Sequence, residues 1–569
     1  MKKIAIPFSL ALVLSFSLLN GFAQLFDNKS YPQNYFVWPV DAKIAIVANF
    51  GELRPNHYHM GLDCRTDQKE NVRVLASAPG YIAKVKIEPF GFGRCIYINH
   101  PNGFTTLYAH LNNFNPALEK YVTEQQYKQK SWRVFLDIPA NLFPVNQGDF
   151  IAYSGNTGGS QGPHVHFEIR ETKTDKVLNP LLFNMPLEDR IAPDVLRLAV
   201  YDRTKSTYEQ TPRYIPIRKL NGVYSPVSGM VNVNSSKASF AITAYDRYNG
   251  ANNQNGIYEA TLYDNDKAVC GFRMNNISYD ETRYLNAHID YKTRSNGGPF
   301  LQHLSRLPGY TNGIYSGDGS DGVIDLTAGE THAVKIIVAD AAGNKSQVNF
   351  MLNSTATAAP AAPAMSSTRF QPGAVNIFEN SNASFYLPEN YLYDSFNFIY
   401  HETPAANGKT IFQLHNPSVP LQGYFTIKLK DHLLYAASDK MVMQRFYGGK
   451  KDYVKAVFEK GWYKATFREF GNFQLMIDEE PPVVNAVGFR DNMNAAGLKR
   501  LVFSVSDNTE EINSFTALLD GNWLRFSNDK GRNFIYNFDE YCGSGAHELK
   551  IRVEDQVGNV TERTYHFTR

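Results

Sequence analysis

From His164 to Arg170 the chain reads His-Val-His-Phe-Glu-Ile-Arg, alternating polar and apolar side chains. That period predicts a β-strand. Residues i and i+2 share a face of a strand, so His164, His166, Glu168 and Arg170 line one side while Val165, Phe167 and Ile169 enter a core. Short β-type runs recur upstream, at 73–76, 80–87, 95–99, 105–108 and 150–153. Between Pro116 and Leu142 the texture changes. ALEKYVTEQQYKQKSW predicts a helix of about four turns, and RVFLDI a short strand. This reads as a small helical insertion, 116–142, in an otherwise β domain spanning 24–187.

The remainder carries an internal repeat. Glu188-Asp189-Arg190-Ile191-Ala192-Pro193 opens one copy and Asp478-Glu479-Glu480-Pro481-Pro482 the other. Each then holds an alternating run ending in an acid, 240–246 closing on Asp246 and 501–507 closing on Asp507. Each ends on Asp-x-x-Gly-Asn, at Asp340–Asn344 and Asp555–Asn559, which predicts a hairpin with Gly where positive φ is needed. Several short strands at regular spacing predict a β-sandwich in each copy, 188–353 and 478–569. The closing hairpin resembles that of bacterial immunoglobulin-like domains. Turn chemistry accounts for the Asp-x-x-Gly-Asn motifs, with calcium binding as the alternative. Residues 354–368 form an Ala/Pro/Thr linker, and 369–477 a further β-rich domain. The fold class expected is mainly β.

Composition narrows the setting. At 569 residues the chain exceeds a single core. Lys2-Lys3, the apolar run from Ile4 to about Leu19 and Gly21-Phe22-Ala23 have the layout of a signal peptide, 1–23, cleaved after Ala23. An exported protein is expected, in the periplasm or cell envelope or secreted. The formal charge is only +2 and includes Lys2 and Lys3, which excludes an electrostatic case for nucleic acid. No later apolar run is long enough to span a bilayer. The four cysteines, Cys64, Cys95, Cys270 and Cys542, form no framework, though Cys64 and Cys95 could pair.

Chemistry concentrates near the N-terminus, where six of the fourteen histidines fall between His57 and His166. His59 and Asp63 flank Gly61 closely enough to reach one ion, and His166 would complete two imidazoles and a carboxylate. Three protein ligands with an open fourth position describe a catalytic zinc site. His-x-Gly-x-Asp at 59–63, Tyr108-Ala-His110-Leu, and Gly155-Asn-Thr-Gly…Gly-Pro-His164-Val-His166-Phe-Glu together resemble the LytM/lysostaphin-type zinc metallopeptidases. Phe50-Gly…Arg54, Ala78-Pro-Gly80 and Gly91-Phe-Gly93…Ile98-Asn-His100 extend the likeness over about 45–182.

The resemblance implies His59, Asp63 and His166 as ligands of one Zn2+, and His110 and His164 as the catalytic pair beside the activated water. It implies an endopeptidase acting on the peptide cross-links of bacterial peptidoglycan, its stem or cross-bridge peptides. Arg54 is a substrate contact on this reading. His57 reads as a surface residue, His100 as a turn support, and Glu168 as either a partner of a ligand or a solvated strand residue. No His-Glu-x-x-His helix supplies a glutamate base. The insertion follows His110, which suggests a position beside the substrate groove, or over it as a lid. The β domains would hold the enzyme against wall or envelope proteins. The alternative is a non-catalytic envelope regulator that binds and activates another wall hydrolase. Relatives of that kind lack some of the ligands, whereas all five residues are present here.

Overall fold

The computed structural model describes residues 25–27, 30–317, 319–356, 368–405, 409–430, 438–531 and 533–569. The signal peptide and most of the 354–368 linker expected from sequence lie outside the described residues. The chain is mainly β. Among the described residues, no helix is long and apolar enough to cross a membrane.

Seven strands of the N-terminal segment matter for the site: β1 (Ile46–Ala48), β2 (Leu62–Arg65), β3 (Gly80–Ile87), β4 (Arg94–Asn99), β5 (Phe104–Ala109), β6 (Val134–Asp137) and β7 (His164–Glu171). They form an antiparallel sheet in the order β1-β2-β7-β5-β4-β3-β6. β7 is central, flanked by β2 and β5. Its apolar face packs Val165, Phe167 and Ile169 into a core with Leu62, Tyr108 and Ile96. A three-stranded sheet of Arg73–Leu75, Phe150–Ser154 and Leu111–Phe114 lies beside it.

Cys64 and Cys95 do not pair; all four cysteines are free and buried. Cys64 lies on β2 and Cys95 on β4, three strand spacings apart, about 14 Å at the usual separation and beyond disulfide reach. They also enter different apolar clusters.

The helix expected in the insertion is α1 (Pro116–Gln129), capped by the Asn115 side chain on the Leu118 N–H at 3.0 Å with Pro116 in its first turn. Its buried side carries Leu118, Val122 and Gln126. The C-terminal end of α1 meets the last segment of the chain. Tyr127 stacks on Tyr541 with centroids 3.6 Å apart, and the Arg525 guanidinium donates to Gln126 Oε1 at 2.8 Å. The insertion is therefore a dock for residues near 523–541.

The following segments are layered sheets. Residues from Asp194 to Ser354 build a five-stranded and an eight-stranded sheet around one core. That core also takes Phe50, Tyr58, Met60 and Val177 from the N-terminal segment. Strand Asn276–Ile277 further pairs with Val177–Leu178, extending the N-terminal sheet. Two five-stranded sheets follow from Asn376 to Ile477, and a three- and a five-stranded sheet from Val483 to Thr568.

Candidate functional site

Register brings the site together. Asp63 on β2 stands directly across from His166 on β7, and Ala109, at the end of β5, faces His166 from the other side. His110 leaves β5 with φ of +61°. That left-handed step is uncommon for a side-chain-bearing residue, and it sets the His110 ring beside that of His164, centroids 4.8 Å apart. Gly61 has a packing reason to lack a side chain. A Cβ there would lie 2.4 Å from the Phe167 carbonyl oxygen, so any larger residue would push the His59–Asp63 turn off β7. Gly158 meets Gly93 equally closely, and the loop it belongs to offers the Thr157 carbonyl to His110 Nδ1 at 2.8 Å.

Three donor atoms converge. His59 Nε2 lies 2.9 Å from Asp63 Oδ1 and 3.0 Å from His166 Nδ1, and His166 Nδ1 lies 3.0 Å from Asp63 Oδ1. The outer nitrogens reveal what these atoms carry. His59 Nδ1 sits 2.7 Å from the Asn49 carbonyl, and His166 Nε2 sits 2.9 Å from Glu168 Oε1. Both partners only accept, so the ring proton of each neutral imidazole is on the outer nitrogen. The inner nitrogens and the Asp63 oxygen then present three lone pairs to one another. A divalent cation resolves that conflict, and the outer acceptors are the orienting partners metal-bound histidines use. The donor set fits a metal ion.

Electrostatics agree. Burial alone would raise Asp63, but the charge of His59 and hydrogen bonds from His164, His166 and His59 hold it well below the usual carboxylate range. Burial disfavours a charged His166, yet hydrogen bonds to Asp63 and Glu168 hold its pKa up to about 9. In the absence of metal a proton takes the place of the cation. His164 Nε2 is 3.4 Å from Asp63 Oδ1, with its Nδ1 donating to the Gly162 carbonyl at 2.7 Å. His110 is depressed to about 3 by burial and then by His164 and His166, so its ring is neutral.

The profile of Peptidase family M23 matches residues 57–127, which hold His59, Asp63 and His110. The chain carries a peptidase M23 domain. Over 159 residues it is 30% identical to the DD-carboxypeptidase/endopeptidase Mpg of Neisseria meningitidis, covering 28% of this chain and 30% of that protein. Over 160 residues it is 26% identical to the peptidoglycan DD-endopeptidase ShyA of Vibrio cholerae, covering 27% and 31%. The chain thus spans about a third of the length of these relatives. The solved catalytic domain of the M23 protein EnpA from Enterococcus faecalis aligns over 26% of this chain and 95% of its own, at 20% identity and a TM-score of 0.19. A Zu5-like domain profile matches residues 367–478.

Within the M23 domain the polar face of β7 is not solvated. Glu168 is 0% exposed, and its Oε2 accepts from Arg170 Nε at 2.7 Å. Burial opposes its charge, but Arg170 and then His166 bring its pKa down to about 2. The Tyr279 hydroxyl also donates to Glu168 Oε1, and Arg170 lies against the rings of Phe92, Tyr97 and Tyr279. Tyr279 comes from the following sandwich, 111 residues away, so no local pattern could announce it. Asn49 acts through its backbone carbonyl, which any residue could supply. Its side chain is held by Gly256, donating to that carbonyl and accepting from that amide.

Arg54 is not among the three converging donors. It pairs with Glu52 at 3.0 Å and lines a cavity of about 250 Å³ with Tyr245, Phe300 and Gln302. His57 is exposed, and His100 bridges the Pro79 carbonyl and Thr106 Oγ1, bracing a turn.

A loop from the far end of the chain sits on this site's glycine loop. Asp529 Oδ1 accepts from the Gly158 N–H at 2.8 Å, and Lys530 Nζ donates to Asn156 Oδ1 at 3.0 Å and to the Ser160 carbonyl at 2.7 Å.

Proposed function

We propose that the protein is an exported, zinc-dependent endopeptidase that hydrolyses peptide cross-links of bacterial peptidoglycan. The observation carrying this reading is the convergence of three lone-pair donors, each fixed from outside, beside two further histidines. His59, Asp63 and His166 would hold the metal. Bound there, zinc supplies a Lewis acid for a peptide carbonyl and brings the pKa of water down to roughly 7.

The chain's own residues divide the remaining work. The Asn49 carbonyl and Glu168 keep the protons of His59 and His166 on the outer nitrogens, so the inner ones stay available. His164 and His110 each give Nδ1–H to a backbone carbonyl, leaving Nε2 as the acceptor on both rings. One of the pair takes a proton from the attacking water and returns it to the leaving amine; the protonated ring also stabilises the oxyanion. Arg54 is proposed as a substrate contact, from its half-exposed side chain beside Glu52. The name of the Vibrio relative, a peptidoglycan DD-endopeptidase, supports peptidoglycan as the substrate class.

The test is muropeptide release from purified peptidoglycan by the mature protein, with and without chelator, beside His166→Ala. Release that needs both metal and His166 supports the reading, and the product masses name the bond. Stoichiometric zinc binding with no release from any peptidoglycan would sink it.

A further inference from the structure

The two β-sandwich copies each contain a second, all-oxygen cluster. In the first, carboxylate oxygens of Asp189, Asp246 and Asp340 lie within 4.8 Å of one another; in the second, those of Asp478, Asp507 and Asp555 do. The positions correspond. Asp189 and Asp478 lie in the segments entering each sandwich. Asp246 and Asp507 directly follow strands Lys237–Tyr245 and Arg500–Ser506. Asp340 and Asp555 open the closing hairpins.

The hydrogen bonding corresponds too. Asn344 gives its N–H to Asp340 Oδ1 and its Nδ2 to Asp340 Oδ2 and the Asp189 carbonyl. Asn559 does the same for Asp555 and the Asp478 carbonyl. Each hairpin Asp is thus pinned by one Asn, which also holds the entering segment.

What these bonds leave over points to a ligand. Asp246 is 1% exposed, and neither of its carboxylate oxygens has a hydrogen-bond partner among the described residues. Asp189 Oδ2 and, in the second copy, Asp478 Oδ2 and Asp507 Oδ1 are likewise buried and without partners; Asp478 is 2% exposed. A buried carboxylate with no donor is costly unless it is neutralised or coordinates a cation. That this arrangement occurs twice, at matched positions of one repeat, argues against an accident of either copy.

We propose that each three-aspartate cluster binds one Ca2+, at the entrances to the first and last β-sandwiches. The donors are hard oxygens with no nitrogen or sulfur, which suits Ca2+ and not zinc. Carboxylates, neighbouring carbonyls and water can fill the six to eight positions that Ca2+ takes. Removing the cation leaves three acids facing one another: burial, then Asp189 and Asp340, push Asp246 up to about 8. Each ion ties an entering segment to two strand ends of the sandwich. In the first copy it fixes the chain just after the M23 domain, and in the second just after strand Gly471–Ile477. The donors of both clusters are distinct from His59, Asp63 and His166.

The test is calorimetric titration of the full mature chain, stripped with chelator and reloaded with zinc, using Ca2+ alone and Mg2+ alone. Two Ca2+ per chain are expected, with affinity no weaker than the roughly millimolar limit of extracellular sites. Asp246→Asn and Asp507→Asn should each retain one, and His166→Ala should retain both. No Ca2+ heat up to several times about 1 mM overturns the proposal, as does retention of two ions by either Asn variant. Should a variant fail to fold, equilibrium dialysis of the native chain against labelled Ca2+ decides alone, and a stoichiometry below two refutes the paired assignment.

Discussion

Replacing Glu168 by Gln removes one charge and almost no volume. Glu168 is fully buried, holds the outer nitrogen of His166 at 2.9 Å and pairs with Arg170. Gln can still accept from His166, so the ring keeps its tautomer, but the basicity lent by the carboxylate is lost. Losing an outer partner of a ligand histidine weakens metal affinity 10–100-fold, about 1.4–2.7 kcal/mol. Arg170 limits the accompanying loss of stability. It retains Asp175 at 2.9 Å and three aromatic rings, so the cost falls to about 2–3 kcal/mol, short of the ~3–5 kcal/mol for a wholly orphaned buried charge. Competition against a chromophoric chelator at neutral pH reads the zinc affinity, and circular dichroism confirms that the variant folds. A folded Glu168→Gln protein whose affinity stays within about threefold of the parent, below the expected range, would refute the argument that Glu168 tunes the ligand.

Other consequences are open to measurement. His166 rises from 6.5 to about 9 on folding, so its contribution to the metal-stripped protein is complete below the unfolded value and lost as pH rises through about 9. Zinc uptake near pH 8 should therefore release close to one proton per chain, read as buffer-dependent heat; uptake without proton release contradicts the assigned cluster. Asp246 is also raised, so in Ca2+-free protein its favourable term is complete below its unfolded value near 4 and disappears by about pH 8. The upward shift of the unfolding midpoint on adding Ca2+ should accordingly grow between about pH 5 and 8, and a shift that shrinks over that range would be the wrong sign. Lys530→Ala removes two hydrogen bonds to the 155–163 loop; at about 1 kcal/mol each, deuterium uptake by that peptide should speed by up to about 30-fold, and unchanged uptake would show that the contact does not hold the loop. Gly61→Ala should abolish stoichiometric zinc binding, because its Cβ meets the Phe167 carbonyl at 2.4 Å; a variant that still binds one zinc tightly would mean the turn can shift.

What could be seen in the sequence follows from what is local. The i, i+2 spacing of His164 and His166 sets both on one strand face, and the alternation around them locates the core side. Helix α1 announces itself by a long run without breakers after Pro116. Contributions made by backbone or by distant segments are invisible in such patterns. The Asn49 carbonyl has no side-chain signature, and Tyr279 reaches Glu168 from another sandwich. The sequence left Glu168 open between a partner of a ligand and a solvated residue, because alternation reports which side of β7 is apolar, not what covers the other side. Whether Cys64 and Cys95 pair stayed open for a similar reason: sequence proximity says nothing of the two strands inserted between β2 and β4, which keep both thiols free. The repeated Asp-x-x-Gly-Asn turn was legible as a turn, but its clustering with Asp189 and Asp246 depends on where the entering segment runs.

The Asp529–Gly158 contact also has a meaning in time. Its partners stand 371 positions apart, and a chain emerges from the ribosome at about 5–20 residues per second. For roughly 20–75 s of every synthesis, then, the loop that carries Thr157 and leads into His164 exists without the residues that fasten it. The segment that carries the donor cluster is made first and its last clasp is made last, so each molecule passes through a youth in which its N-terminal domain is complete in sequence but not yet closed.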